Sequence, residues 1–394
     1  MKKVLLAGTA LVGLAVASTP AAAQISLELG GHFRGYGVFA DSDEDSTTAP
    51  GDELREFDLR RDAEVHFTGE ATTNNGLTVG VHSEIILGDE IGLNQTDETY
   101  LYVSGNFGRV NLGSEDGAAY LLQVAAPSAD SNIDGLRSSI QAINTTTFTT
   151  GAAGGSYAAG TAILLDYDHV ADLSLVETAV QSTDRLTYLT PKWNGFQAGL
   201  SYAPELGQNS VVNNVAGQGF NDNVGDLEDI WEIAARWDGE FEGFGISAGA
   251  GYSNASTEVD AAAGAFGSDD LEVWNAGLNF TFQAFSLGGA YLTSNNATDG
   301  AAINADTDTW VVGAAWDNGP YHLGVSYFNQ ENEEDVYGTA GDLEIDRIAV
   351  GAGYTYGPGM SVRAAAAFGE SEANDPAVAD RDFSQFTIGT DVAF

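Results

Sequence analysis

Apolar and polar residues alternate one by one in segment after segment of this chain. That period of two constrains the fold more than any other feature. ISLELGGHFRGYGVF (25–39) carries Ile25, Leu27, Leu29, Phe33 and Phe39 on one parity and Ser26, Glu28, His32, Arg34 and Tyr36 on the other. FQAGLSY (196–202), WVVGAAW (310–316), YHLGVSY (321–327) and DFSQFTIGTDVAF (382–394) repeat the pattern. A helix buries one face at a period of 3.6, so these segments read as strands with one greasy and one wet side.

No run of about 18 apolar residues follows residue 23, so no helix spans a membrane. Alternating strands are the other way across a bilayer, lipid on one face and water on the other. A β-sandwich also alternates, with its large residues inside and mid-strand. Here aromatics bracket the apolar rows instead: Trp231 with Trp237, Phe196 with Tyr202, Tyr321 with Tyr327. Such bracketing matches the interfacial girdles of membrane barrels.

The connections set the strand count. Short ones at 74–76, 106–108, 193–195, 239–243, 283–285, 317–320 and 356–360 mostly contain Gly or Asn-Gly, the residues of hairpin turns. Long acidic ones include 41–53, 205–227, 256–270, 295–306, 331–342 and 371–381. Short and long alternate strictly, which predicts an all-β fold: a 16-stranded antiparallel transmembrane barrel wide enough for an aqueous channel. An open edge is not tolerated in lipid, so the strand ending at Phe394 is expected to pair with the first.

MKKVLLAGTALVGLAVASTPAAA (1–23) has a basic start, a short apolar run and an A-x-A site, the pattern of an export signal peptide, leaving 24–394 as the barrel. There is no Cys, so packing and hydrogen bonds alone must hold an exported chain. A net charge of −43, without Lys/Arg clusters, argues against nucleic acid and suits cations. Catalytic patterns such as G-x-S-x-G and H-E-x-x-H are missing, and the five His are scattered along the sequence. GAAGGSYAAG (151–160) lacks the G-K-[ST] of a phosphate loop and reads as a flexible loop.

Three stretches resemble the general diffusion porins of Gram-negative outer membranes: YLYVSGNFGRVNLGSED (100–116), DRLTYLTPKWNGFQAGLSYAPE (184–205) and the closing TIGTDVAF (387–394). The resemblance covers the whole chain after residue 23. It implies a homotrimer in the bacterial outer membrane, among lipids and lipopolysaccharide, each subunit with its own pore. It also implies a third loop folded into the barrel, which falls here at about 114–183. That segment is longer than the family pattern, and TAILLDYD (161–168) reads as an extra strand or an excursion over the rim. AAYLLQVAAPS (118–128) is expected to place a short helix and its apolar side chains on the inner wall.

The resemblance further implies an eyelet, in which acids on the inserted loop face basic residues on the wall and a transverse field orients solutes. The loop candidates are Glu115, Asp116, Asp130 and Asp134. The wall candidates, chosen by lumen parity, are Arg34, Arg60, Arg109, Arg185, Arg236, Arg347 and Arg363, with His32 beside them. Arg34 and Arg60 rank highest, because the family places its basic cluster on the first strands. Each Arg has an ordinary reading too, as half of an ion pair with an acid such as Asp62 or Glu64. Arg61 falls on the lipid parity and marks a rim, a subunit interface or a shifted register, since a lipid-facing Arg at mid-depth costs about 2–4 kcal/mol. The acidic loops read as solvated surface, or as Ca²⁺ ligands such as Asp41, Asp43 and Asp45, although DSDED lacks EF-hand spacing. No cofactor is required. The expected function is passive diffusion of small hydrophilic solutes and ions, cation-preferring and without a chemical step. A substrate-specific channel with a saturable site, an outer-membrane enzyme barrel and an adhesive surface barrel are the rivals.

Overall fold

The computed structural model describes residues 25–42, 56–87, 96–129, 184–205, 227–258, 269–295, 306–332, 343–373 and 381–394. They form sixteen antiparallel strands closed into a barrel, each bonded to its sequence neighbours and the last to the first. In chain order these are β1 Ile25–Ser42, β2 Phe57–Thr72, β3 Thr78–Ile86, β4 Thr96–Gly105, β5 Gly108–Ser114, β6 Asp184–Leu189, β7 Phe196–Glu205 and β8 Leu227–Phe241. Then follow β9 Phe244–Thr257, β10 Leu271–Phe282, β11 Phe285–Ser294, β12 Thr307–Asn318, β13 Tyr321–Asn332, β14 Leu343–Gly357, β15 Met360–Ala373 and β16 Arg381–Ala393. One short helix, α1 Ala118–Leu121, follows β5. Residues 1–24, 130–183 with TAILLDYD and GAAGGSYAAG, and most of each long loop lie outside the described residues.

All seven predicted short turns join strand pairs at one rim. Asn194 (φ 48°) with Gly195 (φ 84°), and Glu242 (φ 50°) with Gly243 (φ 85°), place two successive residues at positive φ. That is the type I′ geometry whose twist matches a right-twisted hairpin. β16 closes the ring on β1 from His32↔Ala393 to Ser42↔Phe383. Phe394 and Gly31 exchange backbone hydrogen bonds of 3.1 and 3.0 Å at the seam. No edge remains, so every ladder group can be satisfied without water.

The alternation sorts the two faces. Leu27, Leu59, Leu112, Ile233, Leu287, Leu323 and Ile348 point outward and are exposed. Three outward Tyr–Trp pairs repeat around the long-loop side: Tyr202 with Trp231 at 4.5 Å, Tyr252 with Trp274 at 4.2 Å and Tyr291 with Trp310 at 4.3 Å. In each pair the residues face one another across neighbouring strands. The Tyr hydroxyls donate to Asp229, Glu272 and Asp308, keeping a polar tip toward the wet rim. Phe244 on Phe282 (4.4 Å) and Tyr321 beside Tyr354 (5.3 Å) complete a second girdle on the short-turn side. Arg61 does lie on the outward parity. It sits beyond the last β2–β3 pair, Glu64↔Ile86, and donates to the Leu87 carbonyl at 3.2 Å, at the long-loop rim.

Candidate functional site

After β5 the chain turns into the barrel, and residues 118–129 run along its inner wall from β7 to β15. Ala118, Ala119, Leu122, Val124, Ala126 and Ala129 are buried against that wall. Side chains of the wall receive the segment's polar backbone. Ser201 Oγ accepts the Ala118 N–H at 3.1 Å, Arg236 donates to the Gln123 carbonyl at 3.1 Å, and Asn279 donates to the Ala125 carbonyl at 2.5 Å. His322 Nε2 lies 3.0 Å from the Ala129 carbonyl. Ala129 ends the run among Ala349, Ala365 and Ala367 of β14 and β15.

The approach is close because the wall lacks side chains there. A Cβ on Gly277 would lie 1.7 Å from the Val124 carbonyl oxygen, and one on Gly313 2.0 Å from that of Pro127. Gly324 is equally tight, at 2.2 Å from the Ser128 oxygen. Glycine is the one residue that lets backbone lie on sheet at this distance.

A buried ion pair pins the entry. Arg185 Nη1 donates to Glu232 Oε2 at 2.9 Å, with side chains 2% and 1% exposed. Ser201 and Ser253 also donate to Glu232. Gly117 lies directly on this pair, where a Cβ would collide with both partners. Glu115 is buried too and accepts from Asn111 Nδ2 at 2.6 and 2.7 Å. Burial pushes its carboxyl above the usual range, against the opposing pull of Asn111, Arg109 and Arg185.

The other wall, from β15 through β16 and β1 to β3, presents charged and polar side chains to the lumen. Among the described residues the inserted segment crosses none of β16, β1, β2 and β3. Arg34 pairs with Asp62 at 3.0 Å and Arg363 with Asp391 at 3.1 Å, and Tyr36 donates to Asp391 at 2.8 Å. His32 Nε2 lies 3.0 Å from Asp62. Next along the wall come Glu64, His66, Glu84 and His82, linked by contacts of 3.0, 3.5 and 2.8 Å.

The structure therefore spreads the seven arginines over different settings. Arg34 and Arg363 share the open wall; Arg60 pairs with Asp58 at 3.1 Å near the long-loop rim. Arg109 sits over the Tyr102 ring at 4.1 Å and donates to Asn111. Arg236 is paired with Asp238 and holds the inserted segment. Arg185 and Arg347 are buried, the latter against the Phe328 ring at 4.9 Å. Asp116 offers its backbone N–H to Glu98, while Asp130 and Asp134 lie outside the described residues, as do Asp43 and Asp45. Asp41 stands near the end of β1.

Sequence reasoning missed the acids Asp391, Glu232 and Glu84 and the histidines His66 and His82. The five His are scattered only along the chain: three of them meet on β1, β2 and β3. Their shared even parity was visible. What brings them together is the register, His32↔Glu64 and His66↔Glu84, which no single segment reveals.

Solved structures share this architecture. The anion-selective porin of Comamonas acidovorans superposes with a TM-score of 0.58 at 18% identity, over 94% of this chain and 100% of that one. OmpT of Vibrio cholerae, solved in a trimer form, gives 0.58 at 14% identity over 94% and 99%. OmpF of Salmonella typhi, in complex with daunomycin, gives 0.57 at 17% identity over 94% and 98%. At such identities these likenesses speak for the fold alone. No curated protein matches the sequence. The family model described as Gram-negative porin does, across residues 7–376. A closed sixteen-stranded barrel with a greasy outside, a polar inside and a match over nearly its whole length leaves one assignment: the chain belongs to the Gram-negative porins, diffusion channels of the bacterial outer membrane.

Proposed function

We propose that this porin passes small hydrophilic solutes and ions passively and prefers cations, with no chemical step in the passage. The observation that carries the reading is the composition of the open wall. Asp62, Glu64, Glu84 and Asp391 outnumber Arg34 and Arg363 there, and each of these guanidinium groups lies within 3.1 Å of a carboxylate. Neutralised arginines repel cations weakly, while surplus carboxylates attract them, and low-dielectric walls focus that attraction. The net charge of −43 acts in the same direction at the pore mouths. The eyelet itself is proposed to lie between this wall and the inserted segment.

A homotrimer is part of the proposal. The outward surface of β2–β4 supports it, because the Tyr–Trp pairs of β7–β12 have no counterpart there among the described residues. Instead Ser83 and Thr99 share a hydrogen bond of 2.9 Å across the outer face. Polar groups satisfied against a neighbour suit a protein interface better than acyl chains. Residues 1–23 are proposed as the export leader, on their basic start and A-x-A site.

Planar-bilayer recording under a salt gradient tests the reading. Ohmic steps that do not saturate, with a reversal potential of cationic sign, are expected. Saturation by one sugar or peptide would assign a substrate-specific channel instead, and an anionic reversal potential would remove the preference.

A further inference from the structure

The open wall gathers ligands of a kind that simple diffusion does not call for. His32, His66 and His82 lie on three successive strands, all facing the lumen, with Glu64 and Glu84 between them. The ligand atoms of His32, Glu64 and His66 lie within 4.8 Å of one another, and so do those of His66, His82 and Glu84. The three imidazoles are 19%, 29% and 17% exposed, reachable by water yet held by their neighbours. His82 Nδ1 is fixed by Thr68 Oγ1 at 2.7 Å, which leaves Nε2 directed at Glu84 at 2.8 Å. Anchoring one ring nitrogen while the other faces the ion is the usual support for a metal-binding His.

We propose that this wall binds a borderline divalent transition-metal cation of the Zn²⁺ or Cu²⁺ class, at either of two overlapping N₂O sites that share His66. The chemistry selects the ion. Imidazole nitrogens favour zinc, copper and nickel, while Mg²⁺ and Ca²⁺ take oxygen ligands. Ligand atoms around a tetrahedral Zn²⁺ stand about 3.3 Å apart, given Zn–N and Zn–O bonds near 2.0–2.1 Å. The nearest pairs here are already at 2.8–3.5 Å, so small side-chain turns suffice. The His66–Glu64 and His82–Glu84 contacts are hydrogen bonds, and a divalent cation can take the place of the shared proton. Glu64 meets His66 at Nε2 and Glu84 meets it at Nδ1, so both triplets draw on this one imidazole. The inference goes beyond conduction, since it concerns equilibrium binding to the folded barrel whatever its selectivity.

The test is Cu²⁺ titration of the detergent-solubilised full chain, read by electron paramagnetic resonance. Superhyperfine coupling to two nitrogens is expected for the wild type, and EDTA should abolish it. His66→Ala removes the shared ligand, so two-nitrogen coupling should vanish and affinity fall at least about tenfold. His32→Ala and His82→Ala each leave one triplet intact and should keep the two-nitrogen signal; the double variant should lose it. Far-UV circular dichroism confirms that each variant holds the barrel. Bound Cu²⁺ without nitrogen coupling in the wild type, the sign of oxygen-only ligation, overturns the proposal, and so does a folded His66→Ala protein with an unchanged spectrum.

Discussion

The two walls of the lumen are built from opposite materials. From β7 to β15 the inner face is largely glycine, alanine and small polar residues, and 118–129 lies flat on it. From β16 to β3 it is arginine, histidine and carboxylate, and it faces the lumen. The first wall is chosen for what it leaves out: a Cβ at Gly277 or Gly313 would occupy the space of the inserted backbone. The second is chosen for what it projects. A barrel gives every strand the same two faces, so this asymmetry cannot come from the architecture; the inserted segment imposes it. Where chain covers wall, charge must be buried and paired, as in Arg185–Glu232. Where water does, charge stays partly solvated, as in Arg34–Asp62.

The largest effect should appear at the buried pair. Glu232→Ala leaves Arg185 buried without its carboxylate, which costs about 3–5 kcal/mol. The thermal transition of the folded barrel, followed by electrophoretic mobility, should drop clearly. A transition within a degree of wild type would mean that the entry is not pinned there. Next comes the glycine track. Gly277→Val overpacks the wall beneath Val124, at about 1–3 kcal/mol. The segment can yield only toward the lumen, so single-channel conductance should fall. Undiminished conductance would show that 118–129 does not limit the pore.

The open wall should behave oppositely, with small stability effects and larger electrical ones. Arg34→Ala with Arg60→Ala should cost no more than about 1 kcal/mol per partly exposed pair. It takes the guanidinium groups away from Asp62 and Asp58, so the reversal potential should move further toward cations. Arg185→Ala gives the contrast: a stability loss of the buried class. If Arg34→Ala with Arg60→Ala left the reversal potential in place, the two walls would not divide structure from selectivity as described.

The barrel was legible because its signal is local. Trp231, Ile233 and Trp237 announce a lipid face within one segment, and Asn194-Gly195 announces a hairpin turn. Lumen parity also placed all seven arginines on the inner face. Their grouping was not legible, because parity gives the face of a strand and not what lies over it. Arg185 and Arg347 read the same as Arg34 in sequence, yet they end up buried.

What the amino-acid order alone settled is the count of strands, their closure and which side chains look inward, since alternation, turn residues and loop lengths are properties of neighbours in the chain. What only the tertiary structure decided is which inward residues meet. His32, His66 and His82 become adjacent through cross-strand register, and Gly277, Gly313 and Gly324 acquire their purpose when 118–129 is laid over them. Contacts between residues far apart in the chain depend on register and on the path of one inserted segment, and neither is written in any local period.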